Sequence, residues 1–236
     1  MSWQRDTLPI VFGLIAGLTV YIGAVALYRA RRILSARGVG FLQAVAGGVL
    51  GYLALEAGHE VSKYVENLAR PATVMEFLIA SMVTTIAFLA TYLILAGIEN
   101  NMKKGKSSSL GIYSGYIIAL ALGIHNVGEG FAIVGPLIGD LKLRISHTTL
   151  LSLSMIAGLP TVLGSAVFYT GIGSELFLAT LNTVATASIV YAMLHVNLSA
   201  LGRLGGVSSP LFWTALTSGV IIAYSTESVV LFALAE

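Results

Sequence analysis

The chain alternates between long apolar runs and short polar connectors, and about seven of the runs reach the ~20 residues an α-helix needs to cross the hydrocarbon layer. The runs fall at about 8–28, 40–62, 73–98, 110–135, 149–171, 177–201 and 210–235. Between them lie Arg29 to Gly38, Lys63 to Pro71, Glu99 to Ser109, Gly139 to His147, Gly171 to Ser174 and Gly202 to Ser209. None of these connectors has room for a folded soluble unit. No segment alternates polar and apolar positions as a membrane β-strand does. The pattern predicts an all-α membrane protein, a polytopic bundle of about seven transmembrane helices with residues 1–236 forming a single transmembrane domain. The first run is longer than a signal-peptide core and has no small-x-small site before Arg29-Ala30-Arg31-Arg32, so it reads as a retained span.

Composition sharpens this picture. Hydrophobic residues make up 56% of the chain and charged residues 10%, against roughly a quarter charged in an ordinary soluble domain. The lipid bilayer is therefore the expected solvent, with the cell (plasma) membrane as the expected location. The net charge is +2, but the cations sit in short clusters between apolar runs, which speaks against a nucleic-acid partner. Alternation of the runs places Arg29, Arg31, Arg32, Arg37, Lys103, Lys104 and Lys106 on one side, which reads as cytoplasmic. Because the chain has no cysteine, any metal chemistry falls to imidazole, carboxylate and amide groups. Many of the 26 glycines lie inside the runs, Gly47, Gly48 and Gly51 among them, where small residues let helix backbones approach closely.

Ionisable groups inside apolar runs carry the most information, because an unpaired charge in lipid costs at least ~2.5–3.5 kcal/mol and usually faces a partner or a cavity. In the fourth run, HNVGEG at 125–130 sets His125 and Glu129 four residues apart, one above the other on a helix face. Asn126 flanks that face. An imidazole nitrogen, an amide oxygen and a carboxylate converge midway through a span, as metal ligands or as hydrogen-bonding glue between helices.

HNVGEG resembles the HN-x-x-E-G helix motif of the Zrt/Irt-like (ZIP) divalent metal transporters. GFAIVGPL at 130–137 and AGLPTVLG at 157–164 resemble the segments that follow it, and GGVLGYLALEAGHE at 47–60 resembles the family's second helix. The resemblance implies that His125, Asn126 and Glu129 ligate a transported metal ion. Family members generally have eight spans and two consecutive motif helices, whereas this chain has one such motif. Pro160 and Thr161 stand where many members carry a carboxylate, so Thr161 is a further candidate ligand.

Other groups could complete a shell. Glu56, His59 and Glu60 share a face by their i, i+3, i+4 spacing and suit a site at the mouth of a pathway, or a solvated helix end paired with Lys63. His195 and Asn197 lie late in the sixth run and point to different faces, so that only one need reach a cavity. Glu227 lies deep in the last run. The substrate so predicted is a divalent transition metal, zinc first, with iron, manganese or cobalt also compatible with nitrogen and oxygen ligands. A homodimer would be a natural way to complete the site. The competing readings are a transport-inactive metal-binding membrane scaffold or sensor and, more remotely, an intramembrane metal-dependent hydrolase. The latter needs H-E-x-x-H, whereas His59-Glu60-Val61-Ser62-Lys63 ends in a cation. An enzyme is therefore not expected.

Overall fold

The fold is described by a computed structural model covering residues 33–69, 74–103 and 174–234, with scattered positions between 21 and 29 and between 146 and 156. Four long helices dominate the described residues: α1 (Ala36–Ala69), α2 (Val74–Lys103), α3 (Glu175–Leu204) and α4 (Pro210–Leu234). The runs at 40–62, 73–98, 177–201 and 210–235 correspond to these helices. Those at 8–28, 110–135 and 149–171 fall outside the described residues apart from a few helical positions.

Three helices begin on a serine whose side chain takes up a backbone N–H that the helix cannot satisfy internally. Ser35 Oγ accepts from Gly38 N at 3.1 Å, Ser174 Oγ from Phe177 N at 3.2 Å and Ser209 Oγ from Phe212 N at 3.4 Å. Ser174→Ala is expected to cost about 1 kcal/mol of stability, read as a lower denaturation midpoint, because it strands one donor of α3. At the other end of α3, Gly205 closes the helix in the left-handed conformation at φ +94° and Gly206 follows at φ +87°. Both φ values favour glycine. Pro210 then opens α4 at its first helical position, where a missing N–H costs nothing.

Two helices run on into the connectors expected from hydropathy. α1 continues through Lys63 to Ala69, and α2 continues through Glu99 to Lys103. Hydropathy marks the apolar slab, whereas a helix propagates past it wherever nothing breaks its hydrogen bonding. For Glu99 the difference is decisive, because it moves the residue from a polar connector into a helix interface.

α1 is the central element. It packs most extensively along α3 and next along α4, while α2 lies mainly against α3. The direction of packing follows from which residues meet its glycines. Cβ atoms built on Gly40, Gly47, Gly51 and Gly58 would approach Arg203, Asn197, Met193 and Thr186 in turn, so α1 and α3 run antiparallel. Tyr52 reaches Glu227 while Ala44 packs with Phe212 and Ala215, so α1 and α4 run parallel. The α3 side of the interface is built on Thr186, Met193, Asn197, Ala200 and Leu204, and the small residues Ser188, Ala192 and Ala200 are fully buried along the same helix.

The long apolar helices suggest a membrane protein. α2 exposes Met82, Ile86, Leu89, Leu93 and Ile94, large apolar residues that recur along one side of the helix. The segments Ala36–Asn67, Val74–Asn101 and Glu175–Leu204 are each long and apolar enough to cross a membrane. Hydroxyls on these helices bond to carbonyls one turn back, as at Thr84, Thr91, Thr180, Thr183 and Ser188. Such internal pairing lets polar residues sit in hydrocarbon without an unsatisfied donor.

Candidate functional site

The most polar point between these helices lies where α2 meets α3. Glu99 on α2 is 6% exposed, and its Oε2 lies 2.7 Å from Nε2 of His195 on α3. The Tyr191 hydroxyl donates to the same carboxylate oxygen. Residues 191 and 195 are one turn apart on α3, so the phenol and the imidazole rise from one face. Their rings stack with centroids 4.5 Å apart and planes inclined by 26°. Tyr92, seven residues before Glu99 and on the same side of α2, meets the Tyr191 ring edge-on at 5.3 Å.

The other imidazole nitrogen, Nδ1, lies 3.1 Å from the Tyr191 carbonyl oxygen. A carbonyl only accepts, so this contact places a proton on Nδ1. Nε2 then faces Glu99 either bare toward a protonated carboxyl or protonated toward a carboxylate. Both arrangements hold one proton between the two groups and leave the pair neutral, which is what a low-dielectric setting favours.

Glu99 and Tyr191 were not among the residues singled out from the sequence. The signal was available in the helical spacing of Tyr92 with Glu99 and of Tyr191 with His195. It needed the helix to run through Glu99, where hydropathy ends the span.

A second polar contact, half-buried, links α1 to α4, where the Tyr52 hydroxyl donates to Glu227 Oε2. Tyr52 also meets the Tyr224 ring edge-on at 6.2 Å. A third links α1 to α3, with Gln43 Nε2 donating to Ser199 Oγ at 3.0 Å. Asn197 points away from His195, as the two-residue spacing implies, and packs its amide against Gly47, so close that a Cβ there would lie 1.9 Å from Oδ1. That buried oxygen accepts no hydrogen bond from the described residues.

Glu56, His59 and Glu60 lie together in the second half of α1. Glu60 Oε1 pairs with Lys63 Nζ at 2.6 Å, with both side chains about half exposed, and Glu56 and His59 are exposed. Among the described residues no three His, Asp or Glu side chains gather into a metal-binding group. His125, Asn126, Glu129 and Thr161 lie outside the described residues.

Comparison of the chain with protein-family models, with curated proteins and with solved structures gives no match.

Proposed function

We propose that the chain is a transporter, not an enzyme, which moves a divalent transition-metal cation across a membrane. Zinc is the first substrate, with iron, manganese and cobalt as the alternatives. The observation that carries the reading is a carboxylate and an imidazole held together between two helices long enough to cross a bilayer. Ionisable groups inside membrane-crossing helices are expensive, and ion pathways are where membrane proteins keep them. The motif HNVGEG supports the same chemistry, with His125, Asn126 and Glu129 binding the ion through one nitrogen and two oxygen donors. In this reading the remaining apolar runs complete a bundle of about seven spans in the plasma membrane, two copies of the chain associate, and one helix group moves against another to expose the ion on either side.

The test is zinc uptake into vesicles containing the purified protein. His125→Ala and Glu129→Ala are each expected to reduce the initial rate by at least about tenfold, since even an outer-shell partner of a metal ligand is worth that much. Unchanged uptake in both variants would reject the named site. The single motif favours one competing reading, a metal-binding scaffold or sensor without transport. That reading gains if the purified protein binds zinc tightly while the vesicles show no flux.

A further inference from the structure

We propose that Glu99 and His195 form a second cation station, which takes a divalent transition metal through Glu99 Oε2 and His195 Nε2 at the α2–α3 interface. It uses residues outside HNVGEG and goes beyond the transport reading by adding a stopping point for the ion.

The first ground is the way the imidazole is held. Ligating histidines characteristically give their second ring nitrogen to a carbonyl or carboxylate, which sets the tautomer and aims the first nitrogen at the metal. His195 has that arrangement: Nδ1 is 3.1 Å from the Tyr191 carbonyl, the ring is stacked on Tyr191, and Nε2 is directed at the carboxylate. The carboxylate has a supporting contact of its own in the Tyr191 hydroxyl.

The second ground is distance. Ligands at about 2.0–2.1 Å from a tetrahedral ion sit about 3.3 Å apart. The observed Nε2 to Oε2 separation is 2.7 Å, so the pair has to open by only about 0.6 Å, which falls within a small side-chain rotation. An ion entering there takes the place of the proton shared by the two groups, and that proton leaves to solvent.

The third ground is access. The Glu99 side chain is 8% exposed, whereas that of His195 keeps 26% of its surface, so the imidazole offers an approach while the carboxylate anchors. One nitrogen and one carboxylate oxygen select a borderline transition metal over calcium or magnesium, which favour oxygen cages. Two protein donors, with water filling the other positions, make a site that loads and releases. A passing ion requires this, and a structural metal does not.

The experiment counts Co2+ bound by the full chain in detergent, using the metal alone as probe and its visible absorption to report ligation. A protein carrying His125→Ala and Glu129→Ala is expected to retain one equivalent of Co2+. Adding Glu99→Gln or His195→Gln is expected to remove that equivalent, with helix content by circular dichroism and elution volume unchanged. Both substitutions keep polar atoms in place, which favours folding. Binding unaffected by either glutamine overturns the proposal. A measurement on the unaltered chain covers the case in which the variants do not fold: in Co2+-soaked crystals an anomalous peak between α2 and α3 supports the station, and its absence where Co2+ is bound elsewhere overturns it. The readout is occupancy rather than flux, so a failed uptake assay bears on the transport reading and leaves this result standing.

Discussion

A single methyl group added at Gly48 or Gly219 forces α1 and α4 apart and lowers stability by about 1–3 kcal/mol or more. The reason lies in what the new Cβ would strike. At Gly48 it would lie 2.0 Å from the Leu216 carbonyl oxygen, and at Gly219 2.0 Å from the Val45 carbonyl oxygen. Both obstacles are backbone, so no rotamer change relieves them and the helices must separate. That separation also loosens Ala44, Phe212 and Ala215, which are packed in the same interface. Two substitutions calibrate the effect. Gly47→Ala meets the Asn197 side chain instead, which can swing aside, so its cost is expected to be smaller. Gly97→Ala meets nothing within 4 Å and is expected to be neutral or slightly stabilising, because alanine is the better helix former. Denaturation midpoints of the four variants in one detergent check the order. If Gly219→Ala proves no worse than Gly97→Ala, the close crossing of α1 and α4 is wrong.

His195→Leu is expected to cost about 3 kcal/mol, the low end of the penalty for breaking a buried pair, because His195 keeps 26% of its side-chain surface. The loss comes less from the missing attraction than from the carboxylate left without its imidazole in a site where Glu99 is 6% exposed. Charge is therefore the quantity to test. Glu99→Gln introduced into the His195→Leu protein is expected to recover much of the loss, since an amide carries no charge to desolvate while still accepting from the Tyr191 hydroxyl. The corresponding check is a double-mutant cycle by reversible denaturation. A cost below about 1 kcal/mol for His195→Leu is the surface-pair range, and would mean that the pair is solvated rather than buried.

These two sites differ in how far the amino-acid order reveals them. Gly48 could be assigned to close helix packing from its place in an apolar run. That its obstacle is the Leu216 carbonyl, and not a side chain, follows only from how α1 lies on α4. Likewise His195 and Asn197 could be separated by their spacing, which puts them on different faces. Only the packed structure gives His195 to α2 and Asn197 to Gly47 of α1. Glu227 was visible as a carboxylate inside an apolar run, while its hydrogen bond from Tyr52 joins positions far apart in the chain. For Glu56, His59 and Glu60 the spacing allowed either a pathway mouth or a solvated helix end, and the structure adds the pairing of Glu60 with Lys63.

The order of residues alone determined the helical class, the presence of helices long and apolar enough to cross a membrane, and the approximate extent of α1, α2, α3 and α4. Each depends on local properties: apolar length, the absence of helix breakers, and capping residues such as Ser174, Gly205 and Pro210. Tertiary structure alone decided that α1 is central, that α3 runs against it while α4 runs with it, and that Glu99 meets His195 and Tyr191. Those outcomes depend on which helix faces fit one another between positions 92 to 175 residues apart in the chain, and shape complementarity between distant segments leaves no local trace in hydropathy.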